Sequence, residues 1–245
     1  MRRPLENRIA VVTGGARGLG RGIARRLADD GARVIVWDIA PAAFDPVTAG
    51  FDPLAMIRVD VTDEAAVAAA AEESLTHGAV SILVNNAGMN GPVKQVADYD
   101  YATWRKVMAV NLDSVFLVSR AFVPRMVAEG HGRIVNVASI AGKEGVPGIA
   151  AYASAKAGVI GFTKSLAREL VTTGVTVNAV APVMVETDLL KEMTPEHIAA
   201  SKAKIPMQRF LTIEELAGVV AFAAGPDCSF TTGFTFDASG GRATY

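Results

Sequence analysis

The sequence predicts a doubly wound α/β fold built around a parallel sheet. Three observations point there. Short apolar runs alternate with longer amphipathic stretches along all 245 residues, the pattern of a chain that shuttles between strand and helix. The short runs, such as Ile9-Ala10-Val11-Val12, are continuously apolar rather than alternating, as strands covered by helices on both faces are. A glycine cluster from Gly14 to Gly20 stands at the first strand-to-helix junction, and such folds bind ligands beyond the carboxyl ends of their strands.

Each element follows from local pattern. Residues 8–12 read as a buried strand and 18–30 as a helix, with Gly31 as its stop signal. Residues 33–37 and 54–59 are the next strands, followed by an alanine-rich helix over 63–76 and a strand over 81–84. A long helix spans 101–129 until Gly130, and a fifth strand covers 133–137. A second long helix spans 151–173 before Gly174, then come a strand over 175–180, a helix over 214–224 and a last strand over 233–236. No linker, low-complexity tract or internal repeat divides the chain. Residues 1–245 therefore read as one domain, with 1–90 mainly binding a dinucleotide and 91–245 carrying catalysis and substrate.

Composition narrows the function classes. With 24 basic and 25 acidic residues the net charge is −1, which gives no general attraction to nucleic acid or an anionic membrane. The cluster Arg21, Arg25 and Arg26 reads as a solvated helix face. One cysteine, Cys228, cannot form an internal disulfide, and no Cys/His spacing suggests a metal. His77, His131 and His197 read as surface or loop residues. The apolar run after Arg2 and Arg3 is too short for a signal peptide, and no apolar stretch approaches a membrane span. The expectation is a cytoplasmic protein acting on a small molecule.

The chemistry lies at the junctions. In Thr13-Gly14-Gly15-Ala16-Arg17-Gly18-Leu19-Gly20, glycines permit a tight turn and close approach to a pyrophosphate. The helix N-terminus then offers free N–H groups to the phosphates. Asp38 follows Gly20 by 18 residues, at the end of the second strand, where a carboxylate accepts from the adenosine ribose of NAD and repels the 2′-phosphate of NADP. Ile39 follows instead of a basic residue; Arg17 is the contrary feature, since it could reach that phosphate. NAD is the expected cofactor.

After the fifth strand comes Ser139, and then Tyr152 and Lys156, four residues apart on one helix face. Oxidation of an alcohol needs a base for the hydroxyl proton. A free tyrosine is protonated at neutral pH, but a lysine cation one turn away favours the phenolate, as does the positive nicotinamide ring, and both lower that pKa. The serine hydroxyl can hold the substrate oxygen beside the tyrosine.

The segments TGGARGLG (13–20), NNAG (85–88), Asn111, Ser139 and YASAK (152–156) resemble the short-chain dehydrogenase/reductase family, in order and along essentially the whole chain. The resemblance implies a Rossmann-type domain with a seven-stranded parallel sheet and a homotetramer packed through the helices over 101–129 and 151–173. It implies a tetrad of Asn111, Ser139, Tyr152 and Lys156, with Asn111 holding a water that connects Lys156 to solvent, and Lys156 holding the nicotinamide ribose. Gly14, Arg17, Gly18, Leu19 and Gly20 match the cofactor loop. Asp60 and Val61 match the adenine contacts, and Asn86, Ala87 and Gly88 line the cofactor cleft. Pro182, Val185 and Thr187 match contacts near the nicotinamide, Thr187 being the threonine that binds its carboxamide. One departure stands out. The family usually has Pro-Gly after the sixth strand, and this chain has Pro182-Val183. Valine is stiff where glycine is permissive, so either this backbone is ordinary or the pocket wall is bulkier.

Substrate residues are drawn from three places. Residues 184–210 are expected to cover the site as a lid, with Met184 facing the substrate or filling the core. Asn90 follows the fourth strand. Lys143 and Glu144 follow Ser139 and face either a polar substrate or solvent. The tail ends Gly240-Gly241-Arg242-Ala243-Thr244-Tyr245; it is either disordered or placed to reach a neighbouring active site, where Arg242 would pair with a carboxylate. The AGKEG segment (141–145) and the GGRATY tail (240–245) look similar to family members that oxidise sugar-derived acids or polyols, such as 2-keto-3-deoxy sugar acids. The favoured activity is therefore NAD-linked interconversion of a secondary alcohol and a ketone on a small polar, carbohydrate-derived substrate. A 3-oxoacyl-thioester reductase is the alternative, and a silent dinucleotide-binding sensor the third.

Overall fold

The computed structural model of the chain describes residues 3–186 and 194–245. Seven strands, β1 (Ile9–Thr13), β2 (Arg33–Asp38), β3 (Ala55–Arg58), β4 (Val80–Asn85), β5 (Gly132–Val137), β6 (Val175–Pro182) and β7 (Thr235–Ala238), form one sheet in the order β3-β2-β1-β4-β5-β6-β7. Every pairing is parallel. The order reverses between β1 and β4, and this reversal opens a crevice at their carboxyl ends.

Every residue of β1, β4, β5 and β6 is buried, which is why these runs carry no alternation. The two faces hold separate cores. On one, Ile23 and Leu27 of helix α1 (Gly18–Asp29) meet Leu216 and Val220 of helix α9 (Ile213–Ala224) over Val12, Val84 and Val135. On the other, Val67 of α3 (Glu64–Thr76), Phe122 of α5 (Ser114–Ala128) and Leu166 of α7 (Ala150–Glu169) cover Val11, Trp37 and Leu83.

The long helix expected over 101–129 divides into α4 (Tyr101–Met108), a π-helical turn (Ala109–Asp113) and α5. By length and composition this helical span could cross a membrane, contrary to the expectation from sequence. Here Val107, Val115, Val118, Phe122 and Met126 bury one face of it within the fold. The helix expected over 151–173 ends at Glu169, and the last strand lies two residues later than expected. Three short helices, α2 (Pro46–Ala49), α6 (Ile140–Glu144) and α8 (Pro195–Ala203), gave no periodic signal; α8 falls within the expected lid. His77 sits at the end of α3. His131 lies in the loop between α5 and β5, half-buried, and burial together with Arg8 and Arg133 lowers its pKa to about 4. The side chain of His197 lies outside the described residues.

A polar ladder crosses the second core. Asn85 donates to Ser119 Oγ at 3.1 Å and to Asn136 Oδ1 at 2.9 Å; Asn136 donates to Thr163 Oγ1 at 2.9 Å, and Thr163 donates to the Val159 carbonyl at 2.8 Å. It locks β4 and β5 to α5 and α7, directly below the carboxyl ends of the strands. Replacing Asn136 by alanine leaves donors and acceptors unmatched in a dry interior, at a cost of about 1–3 kcal/mol. We predict that this variant unfolds at a clearly lower urea concentration than wild type; an unchanged midpoint would show that the ladder contributes nothing to stability.

Candidate active site

The crevice is tied together by Thr13. Its Oγ1 accepts the N–H groups of Asn86 and Ala87, both at 3.0 Å, while the Asn86 amide donates to the carbonyls of Thr13 at 2.9 Å and Gly14 at 3.2 Å. These bonds fix the loop after β1 to the loop after β4. Gly20, on the first turn of α1, packs directly on this junction. A Cβ there would stand 2.1 Å from the Gly14 carbonyl oxygen, so no side chain fits.

Gly18 opens α1 with φ 53°, and a Cβ there would meet nothing within 4 Å. No side chain caps α1, and its first turn holds no acidic residue. Its N-terminal N–H groups and partial positive charge therefore face open space. Asp38, at the end of β2, accepts from Ala16 N–H through one oxygen and from Ala40 N–H through the other, each at 3.0 Å. The carboxylate is fixed beside the glycine loop with acceptor capacity to spare. An uncapped helix end, an open glycine and a held carboxylate fit the phosphates and ribose of a dinucleotide.

The remaining expected cofactor residues lie along the same edge of the sheet. Leu19 packs on the core below the loop and Arg17 is exposed on its rim. Asp60 follows β3 and accepts from the Thr62 N–H and hydroxyl; Val61 is partly buried beside it. Pro182 ends β6 opposite Ala238, and Val185 bridges to Leu211. Thr187 lies outside the described residues, as do Lys191, Glu192 and Met193.

The expected catalytic residues come from three elements. Ser139 follows β5 and caps α6, accepting from Ala141 N–H at 3.1 Å. Lys156 of α7 is buried, and its Nζ donates to the carbonyl of Val137 at 2.7 Å, 5.8 Å from the Tyr152 ring centre. Asn111 lies in the π-turn, fully buried. Its amide donates to Met89 O at 2.8 Å and Val107 O at 2.9 Å, and its oxygen accepts Met89 N–H at 3.2 Å. Both of its amide hydrogens are thus committed, so a further partner of that side chain must be a donor. A Cβ on Gly88 would stand 2.8 Å from Asn111 Oδ1 and 3.7 Å from Lys156 Nζ, so the loop after β4, the π-turn and α7 converge at one point. Single π-turns inside α-helices recur at functional sites.

Without cofactor, burial pushes the Tyr152 phenol's pKa up, and the neighbouring Ser139 hydroxyl works the other way; the acidification expected beside Lys156 and a bound nicotinamide concerns the loaded site. Burial also lowers the Lys156 pKa from 10.5 to about 8. In both groups loss of water disfavours the charged form, though Lys156 remains protonated below about pH 8.

Most of the expected substrate residues have partners within the chain. Lys143 is neither exposed nor free: its Nζ pairs with Asp237 at 3.0 Å, with the side chain 7% exposed. Arg242 pairs with Glu144 at 2.7 Å within the same chain, so the tail is ordered by its own chain rather than disordered. Met184 packs on an apolar cluster of Ile140, Val183, Ile205, Phe210 and Ala243, as a gap-filler would. Val183 is absent from the positive-φ residues. Its backbone is ordinary, and its side chain joins that cluster. Asn90 is exposed in the loop after β4. Thr13, Met89 and the Val137 carbonyl were missed. Thr13 gave a signal, a hydroxyl immediately before the glycine turn; the other two act through backbone atoms, which residue type does not reveal.

Comparison with known proteins accords with this geometry. A family model described as enoyl-(acyl carrier protein) reductase matches residues 14–243. A 2-dehydro-3-deoxy-L-rhamnonate dehydrogenase (NAD(+)) from Sphingomonas sp. (strain SKA58) is 44% identical over 239 residues, covering 97% of this chain and 96% of that one. A 3-oxoacyl-[acyl-carrier-protein] reductase from Vibrio cholerae is 41% identical over 243 residues, covering 97% and 98%. Among solved structures, a protein of Agrobacterium tumefaciens provisionally described as a gluconate dehydrogenase superposes with a TM-score of 0.92 at 32% identity, over 99% of this chain and 98% of that one.

The buried ammonium gives a stability signature. Below about pH 8 Lys156 is protonated in both the folded and the unfolded chain, and the full cost of burying the cation is present. Between pH 8 and 10.5 the unfolded chain binds the extra proton, so this cost falls as pH rises. We predict that Lys156→Met melts at a higher temperature than wild type at pH 7, with a gain that shrinks across that window. A pH-independent loss of stability would contradict burial as the cause.

Proposed function

Because this chain belongs to the short-chain dehydrogenase/reductase family, we propose that it is an NAD-dependent oxidoreductase that interconverts a secondary alcohol and a ketone on a small, polar, sugar-derived acid or polyol. The observation that carries this reading is the convergence of Ser139, Tyr152 and Lys156 at the carboxyl end of β5, across the crevice from a glycine loop that holds Asp38. Bound NAD would supply the hydride acceptor. Gly14, Gly18, Leu19 and Gly20 would cradle its pyrophosphate. Asp38 would take the adenosine ribose, Asp60 and Val61 the adenine, and Asn86, Ala87 and Gly88 the cleft wall. Pro182, Val185 and Thr187 would flank the nicotinamide.

In oxidation, Tyr152 accepts the proton of the substrate hydroxyl at its phenolic oxygen, while Ser139 holds the substrate oxygen. Burial keeps the phenol protonated in the free protein, so the phenolate needs positive charge from Lys156 and from the oxidised ring together. Lys156 would hold the nicotinamide ribose, and Asn111 fixes the loop after β4 beside it. Residues 184–210 serve as the lid, 1–90 as the dinucleotide half and 91–245 as the catalytic half. We further propose a cytoplasmic homotetramer packed through α4–α5 and α7, where Phe116 and Phe162 stack edge to face and Phe116 is 46% exposed.

The names of the relatives support a sugar acid as substrate: one acts on 2-dehydro-3-deoxy-L-rhamnonate with NAD(+), and the superposed structure is tied to gluconate. A 3-oxoacyl-thioester reductase is the second reading, supported by the family model and the Vibrio relative. Asp38 opposes it, because that carboxylate disfavours the 2′-phosphate of NADPH. A silent dinucleotide sensor would have no use for Ser139, Tyr152 and Lys156 together.

Initial rates with NAD⁺ or NADP⁺ and a panel of 2-keto-3-deoxy sugar acids, their alcohols, gluconate and polyols test the proposal. Turnover is expected with NAD⁺ and a sugar-derived acid or polyol; turnover of acetoacetyl thioesters with NADPH alone would sink it. Tyr152→Phe is expected to lose kcat by at least about a hundredfold while still quenching with NADH. Asp38→Ala is expected to narrow the preference for NAD⁺ over NADP⁺, and an unchanged ratio would remove Asp38 from cofactor choice.

A further inference from the structure

The short helix α6 begins at Ser139 and has only five residues, Ile140–Glu144. A helix that short does not hold itself in place, yet it carries the hydroxyl assigned to the substrate oxygen. On one side it lies directly on α7: a Cβ on Gly142 would stand 2.5 Å from the carbonyl carbon of Lys156. The other side is gripped by the C-terminal tail.

That grip has three separate points. The Tyr245 hydroxyl donates to the Lys143 carbonyl at 2.8 Å, satisfying a carbonyl in the last turn of α6. Lys143 Nζ bonds Asp237 Oδ2 at 3.0 Å and lies 5.1 Å from the Tyr245 ring centre. Arg242 donates to Glu144 Oε2 through Nε at 2.8 Å and Nη2 at 2.7 Å, with both side chains about four-fifths buried (22% and 23% exposed). The tail is itself a built turn. Asp237 Oδ1 accepts the Ser239 N–H at 2.9 Å and its hydroxyl, and Ser239 Oγ accepts Ala243 N–H at 3.0 Å. One carboxylate, Asp237, therefore joins the tail turn to α6. Ala243 is buried against Ile140 and Val183, and the Gly240 carbonyl accepts Met207 N–H at 3.2 Å.

We propose that residues 237–245 are an intramolecular clamp that sets α6, and through it the Ser139 hydroxyl, against Tyr152. Asp237, Lys143, Glu144, Arg242 and Tyr245 are positioning residues; they act on catalysis through Ser139 rather than by touching substrate. Both cations of this region are spent within the clamp, so neither Lys143 nor Arg242 draws a substrate carboxylate into the cleft. The inference rests on the role proposed for Ser139, and displacing a reacting group by a fraction of an ångström is enough to lower kcat with little change in binding.

The test uses the full chain with Arg242→Ala, Tyr245→Phe, Arg242→Glu, and the exchanged pair Arg242→Glu with Glu144→Arg. Each single variant is expected to lower kcat about five- to tenfold, with the substrate KM and the NADH Kd within about twofold of wild type. The exchanged pair is expected to recover most of the loss of Arg242→Glu. In parallel, hydrogen exchange of the Ala141 amide, which reports the Ser139 cap directly, is expected to run about tenfold faster in Arg242→Ala. Unchanged kcat, or a kcat loss matched by weaker NADH binding and faster exchange throughout the chain, would overturn the clamp. If wild type turned over none of the proposed substrates, the function reading would fail, and the exchange rate at Ala141 would still decide the clamp: unchanged exchange in Arg242→Ala overturns it.

Discussion

The ammonium group of Lys156 is the constraint around which the site is organised. It is buried and bonded to the Val137 carbonyl, with no ion pair among the described residues. Such a cation is costly in an interior unless something is gained by it. Its place is set by the sheet: Val137 ends β5, and α7 returns over that strand so that Lys156 reaches the free carbonyl at its end. Tyr152 shares the helix and is partly buried one turn away, and Gly88 with Asn111 packs on the other side of Lys156. In the free protein burial disfavours both charged forms, yet Lys156, with its pKa lowered to about 8, stays a cation at neutral pH while the phenol stays protonated. A positive charge arriving in the crevice changes that balance, which makes the cofactor part of the tyrosine's acidity.

Around this centre the fold alternates between apolar covering and a few buried polar ties. The two cores that cover the sheet are non-directional and would tolerate small slips. The ties are directional. Thr13 with Asn86 fixes the crevice, and the Asn85–Asn136–Thr163 ladder fixes β4 and β5 below it. The π-turn places Asn111, and the tail fixes α6. The Thr13, Asn85 and Asn111 ties involve or adjoin groups assigned to chemistry or cofactor, and the tail grips α6 four and five residues beyond Ser139. Precision at the carboxyl edge is thus assembled from hydrogen bonds that hydrophobic burial alone could not specify.

Much of this was legible in the sequence for a physical reason. Buried strands and glycine turns leave strong local signals, so all seven strands, the glycine loop and the positions of Asp38, Ser139, Tyr152 and Lys156 could be read before any coordinates. What stayed hidden depends on tertiary geometry. The π-turn at Asn111 is an extra residue in a helix whose apolar period looks uninterrupted. The tail's partners lie 94 to 102 residues away in sequence, and Lys143, Glu144 and Arg242 read equally well as pocket or surface until those partners are seen. The burial that raises the Tyr152 pKa in the cofactor-free fold also stayed hidden, because proximity to a charge is visible in the spacing of two residues, whereas loss of water is not.

The most direct test of this account is the ionisation of Tyr152 itself, followed by phenolate ultraviolet difference absorbance against the Tyr152→Phe protein, with and without NAD⁺. The account predicts a phenol that ionises above the ordinary tyrosine range in the free protein and at clearly lower pH once NAD⁺ is bound. The same titration curve with and without NAD⁺, or an ordinary or acidic phenol in the free protein, would contradict it.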